Sequence, residues 1–166
     1  MTLTARILHQ YFDQDDGSLP EVIVSFPSAD AVATALRYLD TLGARNVTVG
    51  GGTWWSRTEQ VDKPYSGIGD ALRDLSGEAD PLHFVLGGVY VAGCVLPDLG
   101  VFVDPDGLCL DYRMGDDWGE HEIAALLALL GNLEDAGGIV TVPCWGSEGE
   151  DAFLRAIHAQ KVGGRA

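Results

Sequence analysis

The chain has 166 residues, 46% hydrophobic and 21% charged, which suits one globular domain with a sizeable core and excludes the apolar-poor composition of disordered chains. Its 25 acids against 10 lysines and arginines give a formal net charge of −15, a field that repels nucleic-acid phosphates and anionic lipid headgroups and so argues against direct nucleic-acid binding or a membrane as partner. No apolar run nears the roughly 18 residues of a membrane span, the start MTLTARILHQYFDQDDG has no signal-peptide core, and Cys94, Cys109 and Cys144 read as free thiols of a reducing compartment, so a cytoplasmic protein is expected.

ARILHQYF and LPEVIVSF are rich in β-branched and aromatic residues and flank the turn-prone DQDDGS, which predicts a hairpin. Ser28 is the N-cap of a helix in which Val32, Leu36, Leu39 and Leu42 recur at helical spacing, and Gly43 supplies its left-handed stop. NVTV reads as a strand running into GGGTWW, followed by a looser stretch through Lys63 and Pro64 to a short helix at IGDALRDL.

From His83 to Met114 the pattern predicts an antiparallel meander of three strands, HFVLGGVYVAGCVL, LGVFV and LCLDYRM, with turns at 97–98 and 104–107. Asp116 or Asp117 caps a long helix whose buried stripe is Ile123, Leu126, Leu127, Leu130 and Leu133, closed by Gly137 and Gly138. GIVTVP gives another strand, Ser147 and Glu150 a capping box, and a last helix carries Phe153, Leu154 and Ile157 before a fraying KVGGRA tail. The order ββαβαβββαβα points to one α+β domain over residues 1–166, a mixed, mainly antiparallel sheet packed by about four helices.

Several chemistries can be weighed on these elements. GGGTWW lacks the Gly-Lys-Ser/Thr of a P-loop and the third, helix-opening glycine of a dinucleotide fingerprint, and no other cofactor motif is complete. Adjacent indoles on a strand face opposite sides, so at least one of Trp54 and Trp55 lies near the surface as a potential partner contact. Cys144, between a strand and a helix, is an alternative catalytic nucleophile, but no companion histidine motif accompanies it and Glu148, Glu150 and Asp151 disfavour a thiolate. Asp117 and His121, four apart at a helix start, are an alternative metal pair, yet position 125 is alanine where a helical zinc motif needs a second histidine.

Charge is distributed unevenly. Residues 75–154 carry fifteen acids against a single base, Arg113, and the segment DYRMGDDWGEHE concentrates five of those acids. Acids in a first helical turn meet the positive end of the helix dipole. That accounts for some of them and leaves the surplus for a cationic partner. Arg113 is expected to pair with a neighbouring acid and hold the strand-to-helix corner.

In its small size, acidity, free cysteines and the acidic, aromatic-centred DYRMGDDWGEHE, the chain resembles in general character the immunity proteins that bacteria make against toxins. The resemblance implies an inhibitor that occludes a basic toxin domain, with no cofactor. The expected contact residues are Asp111, Asp116, Asp117, Glu120 and Glu122 for charge and Tyr112, Trp118, Trp54 and Trp55 as aromatic anchors. A small enzyme using Cys144 or the Asp117/His121 pair, and an accessory subunit of a larger assembly, are the alternatives.

Overall fold

The computed structural model describes residues 3–163, and two sequence periods, near 3.6 and 2, organise them. The helices are α1 (Leu3–His9), α2 (Ala29–Thr41), α3 (Ile68–Leu75), α4 (Glu120–Asp135) and α5 (Gly146–Gly163). The strands are β1 (Glu21–Ser25), β2 (Arg45–Asn46), β3 (Thr53–Ser56), β4 (Val61–Pro64), β5 (His83–Gly87), β6 (Tyr90–Val91), β7 (Cys94–Val95), β8 (Leu99–Asp104), β9 (Gly107–Tyr112) and β10 (Ile139–Thr141). Six of them form one sheet in the order β10-β1-β9-β8-β5-β2, while β3-β4 and β6-β7 are separate hairpins. Every pairing is antiparallel, so the fold is α+β, as the segment order predicts.

The sheet is one-sided. Val22, Val24, Phe84, Leu86, Val101, Val103, Leu108, Leu110 and Val140 alternate onto one face and are buried together with the helices' apolar stripes. Ile123, Leu126, Leu127, Leu130 and Leu133 of α4 are all buried there, each contributing roughly 1.5–3 kcal/mol of gross apolar burial. The other face is set by register: Thr141, Ile23, Cys109, Phe102 and His83 stand side by side across five strands. One step along, Glu21, Asp111, Gly100 and Val85 form a second row. On this face Phe102 is 36% exposed, Ile139 is 67% exposed and Ile23, Val85, Cys109 and Thr141 are half-buried.

Several sequence expectations change. ARILHQYF is no strand: Leu8 and Phe12, one helical turn apart, are both fully buried, so α1 and the turn after it outcompete the β-propensity of the segment. HFVLGGVYVAGCVL is not one strand either. Gly88 at φ 73 ends β5, and Ala92 and Gly93, at φ 51 and 82, make the tight turn of the β6-β7 hairpin. Of NVTV only Asn46, with Arg45 before it, extends the sheet, after which Gly50, Gly51 and Gly52, all with positive φ, turn the chain through a short 3-10 segment into β3. The stretch through Lys63 and Pro64 is the return strand of that hairpin.

Capping also differs from expectation. Ser28 caps α2 as predicted, its Oγ accepting from the Ala31 N–H at 3.2 Å. The cap of α4 is Gly119, two residues beyond Asp117, and Glu122 Oε2 accepts the Gly119 N–H at 3.0 Å. Glu150 does not serve Ser147 but accepts the Val142 N–H at 2.7 Å, tying α5 to the end of β10. Lys161–Gly163 continue α5, with Lys161 Nζ on Asp135 at 2.7 Å, and the remainder of the KVGGRA tail lies outside the described residues. Among the described residues no helix is long and apolar enough to cross a membrane.

Candidate functional site

The acidic segment does not fold as one surface. Successive strand residues point to opposite faces, so Asp111 lies on the uncovered side of the sheet and Tyr112 in the core, 1% exposed, its OH donating to the Tyr11 carbonyl at 3.1 Å. Trp118 is equally buried, with Nε1 donating to the Arg113 carbonyl at 2.7 Å and its ring 4.9 Å from Phe12 and 5.1 Å from Tyr112. Tyr112 and Trp118 are therefore core residues and not partner anchors: the segment's aromatic centre turns inward because it caps the α1, β9 and α5 interface.

Trp54 is also internal, buried against α3 with Lys63 Nζ and Arg73 Cζ 5.6 and 5.5 Å from its ring centre. The Arg73 contact ties the hairpin to α3, and the Lys63 contact lies within the hairpin itself. Trp55, on the opposite side of β3 beside Asp62, is 40% exposed and alone of the four aromatics remains available to a partner.

Asp111 and Glu122 are among the acids that are engaged. Asp111 Oδ2 pairs with His83 Nε2 at 2.7 Å, reaching from β9 over β8 to β5. The crossing is possible because position 100 between them is glycine: a Cβ built there falls inside the Asp111 carboxylate. Gly100→Ala is expected to dislodge Asp111 from His83 and cost about 1–3 kcal/mol in urea unfolding, the usual scale of overpacking. A second substitution, Asp111→Ala, should recover most of that loss. Glu122 is spent on the Gly119 cap and on the Cys94 thiol at 3.5 Å.

Asp116 and Asp117 precede α4 in an exposed turn and line an open cleft of about 450 Å³ with Asp15, Pro97, Asp98, Arg113, Met114 and Gly115. The cleft is built from three chain segments: the turn after α1, the β7-β8 connection and the β9-α4 connection. Arg113 does hold the corner, but its partner is Asp15, 98 positions away, with Nε to Oδ2 at 2.8 Å. That hydrogen bond, helped by the Gly17 N–H, holds the Asp15 carboxyl below the usual carboxylate range. Asp98, Asp116 and Asp117 are exposed and form no ion pair with any described residue. Asp98 also reaches the uncovered sheet face, where a Cβ on Gly87 would lie 2.7 Å from its Oδ1.

Asp15 and Asp98 were not legible as site residues. Each sits in an ordinary turn, and only the fold brings them to Asp116 and Asp117. The sole hint was an arginine isolated among fifteen acids.

The alternative chemistries find little support. Since α4 begins at Glu120, Asp117 and His121 do not share a helical face, and among the described residues no three His, Cys, Asp or Glu side chains are grouped to hold a metal ion. Cys144 donates to the Glu21 carbonyl at 3.4 Å, and burial raises its pKa above the ordinary thiol value. Burial likewise pushes Cys109 up to about 11, aided by Glu21 and Asp111. An activated nucleophile needs the opposite shift. Three of the histidines, His9, His83 and His158, contact carboxylates instead. No family model, curated protein or solved structure matches the chain, so what the site can do is argued from its own geometry and charge.

Proposed function

We propose that this protein binds and inhibits a cationic protein partner, acting as an immunity protein that neutralises a bacterial toxin by covering it. The observation that carries this reading is the cleft in which Asp15, Asp98, Asp116 and Asp117 converge from three segments. Four carboxylates sharing one cation, Arg113, repel one another and lower stability, and an incoming lysine or arginine relieves that repulsion. Arg113 on Asp15 illustrates the pairing such a site favours, a guanidinium N–H on a carboxylate oxygen.

The acid excess of residues 75–154 extends the field beyond the cleft and steers a basic partner toward it. Association is therefore expected to be fast at low salt and to slow as ionic strength shortens the Debye length to ~10 Å at 0.1 M. The triple variant Asp98→Ser, Asp116→Ser, Asp117→Ser should bind the partner at least about tenfold more weakly, with a shallower salt dependence. Parallel affinity purification from the host with wild type and variant, read by mass spectrometry, checks this. A basic protein retained by the wild type alone, toxic when expressed by itself and harmless when co-expressed with this chain, is the expected result. Identical retention by both forms overturns the reading.

A further inference from the structure

We infer that the uncovered face of the six-stranded sheet is the docking surface for that partner, and that the contact is an apolar centre with an acidic rim that meets the partner's cations. The inference rests on the proposed cationic partner and adds where, and by which chemistry, it is held. An antiparallel sheet commonly leaves one face to water, and such a face is then polar. Here its central row is Thr141, Ile23, Cys109, Phe102 and His83, with Ile139 exposed at one corner, so apolar surface lies where solvent alone would select polar side chains.

The neighbouring positions set the charge. Glu21 and Asp111 form the next row and Asp98 covers Gly87, so the apolar row runs beside acids that continue into the aspartates of the cleft. Against these the nearby arginines are Arg113, already on Asp15, and Arg45 on the far edge strand. Apolar core and charged rim are the usual anatomy of a protein contact. Five strands spaced ~4.8 Å apart and roughly 17 Å long give a planar patch of about 300 Å². That is under half of the ~800 Å² each side contributes to a stable complex, and the adjoining cleft supplies further area.

A second copy of this chain fits the face poorly. A two-fold contact would bring Glu21, Asp98 and Asp111 of both copies into one interface, on molecules that each carry −15. The occupant is therefore a basic protein presenting apolar side chains framed by lysine or arginine.

Two fluorescent 18-residue probe peptides test the surface: one of leucine and lysine arranged as a basic amphipathic helix, the other with every leucine replaced by serine at equal charge. Fluorescence anisotropy should give tighter binding of the leucine peptide. Phe102→Ser and Ile139→Ser should each weaken it about tenfold, the scale of a central apolar contact, whereas Tyr90→Ser, exposed on the β6-β7 hairpin, should leave it unchanged. Circular dichroism confirms that the variants fold.

If the leucine peptide does not bind, or binds alike to wild type, Phe102→Ser and Ile139→Ser, the docking surface is overturned; loss on removing Asp98, Asp116 and Asp117 would still leave the cleft reading standing. Binding that weakens in Phe102→Ser but ignores salt and the aspartate variant overturns the cationic partner itself. A dimer by light scattering that Phe102→Ser dissociates overturns the inference in favour of self-association.

Discussion

Replacing Trp118 with alanine is expected to destabilise the protein by about 3–5 kcal/mol, the range for removing a buried tryptophan side chain. The indole is 2% exposed and belongs to a cluster with Phe12, Tyr112 and Phe153, in which Phe12 stacks on Tyr112 at 4.8 Å and meets Phe153 at 5.8 Å. Its Nε1 also satisfies the Arg113 carbonyl. Trp118→Phe should retain most of the packing and lose mainly that hydrogen bond, costing about 1–2 kcal/mol. Urea unfolding followed by circular dichroism separates the two. Since small domains hold only about 5–15 kcal/mol in total, the alanine variant approaches the unfolding threshold at ordinary temperature. An exposed anchor would behave in the opposite way, with stability unchanged and partner affinity reduced.

The same substitution bears on the cleft, because Trp118 pins the connection that carries Arg113, Asp116 and Asp117. Rigid placement of like charges comes from the core beneath them. In Trp118→Phe the cleft should therefore persist, and a loss of partner binding in that variant would indicate that the Arg113 carbonyl contact orients the turn.

The fold was legible wherever one local period dominated. The α2 stripe with its Ser28 cap, the α4 leucines and the β8-β9 turn at 104–107 all followed from side-chain spacing and turn chemistry. It was not legible where two periods overlapped: Ile7, Leu8, Tyr11 and Phe12 satisfy a helical repeat, yet the segment's β-branched and aromatic content argues for a strand. Glycine decided the other misreadings, since Gly88 and the Ala92-Gly93 turn break an apolar run that alternation alone would continue.

The site was less legible than the fold, for a physical reason. Acidity marks which residues are charged but not which of them converge, and the convergence of Asp15 and Asp98 with Asp116 and Asp117 depends on tertiary contacts across about a hundred residues. Aromatics within an acidic run read as exposed anchors, while hydrophobic burial drew Tyr112 and Trp118 inward. The uncovered sheet face was hidden too, because its apolar members, Ile23, Phe102 and Ile139, are indistinguishable in sequence from core residues one position away.

A second large effect is expected at Asp74 on α3, and it depends on pH. The side chain is 4% exposed and its Oδ2 has no hydrogen-bond partner. Burial pushes its pKa up to about 6, with Asp104 and Asp80 adding to the rise and Arg57 opposing it. In the unfolded chain the same carboxyl titrates near 3.9. Below about pH 4 both states hold the proton and the group is neutral to stability. Between about pH 4 and 6 the unfolded state releases the proton while the folded state keeps it, so stability falls as pH rises; above about 6 the full penalty applies, about 3 kcal/mol for a two-unit difference. Asp74→Asn removes that penalty but leaves an amide group unsatisfied in the same place, at a cost of about 1 kcal/mol. The variant should therefore be more stable than wild type by roughly 1–2 kcal/mol at pH 8 and no more stable at pH 4. Urea midpoints of both proteins at the two pH values check this, and their difference cancels the other carboxylates, including Asp15 and Asp16, whose lowered pKa values act with the opposite sign. A variant less stable than wild type at pH 8 would mean that the Asp74 carboxylate finds a partner through the nearby Arg57 that outweighs its burial.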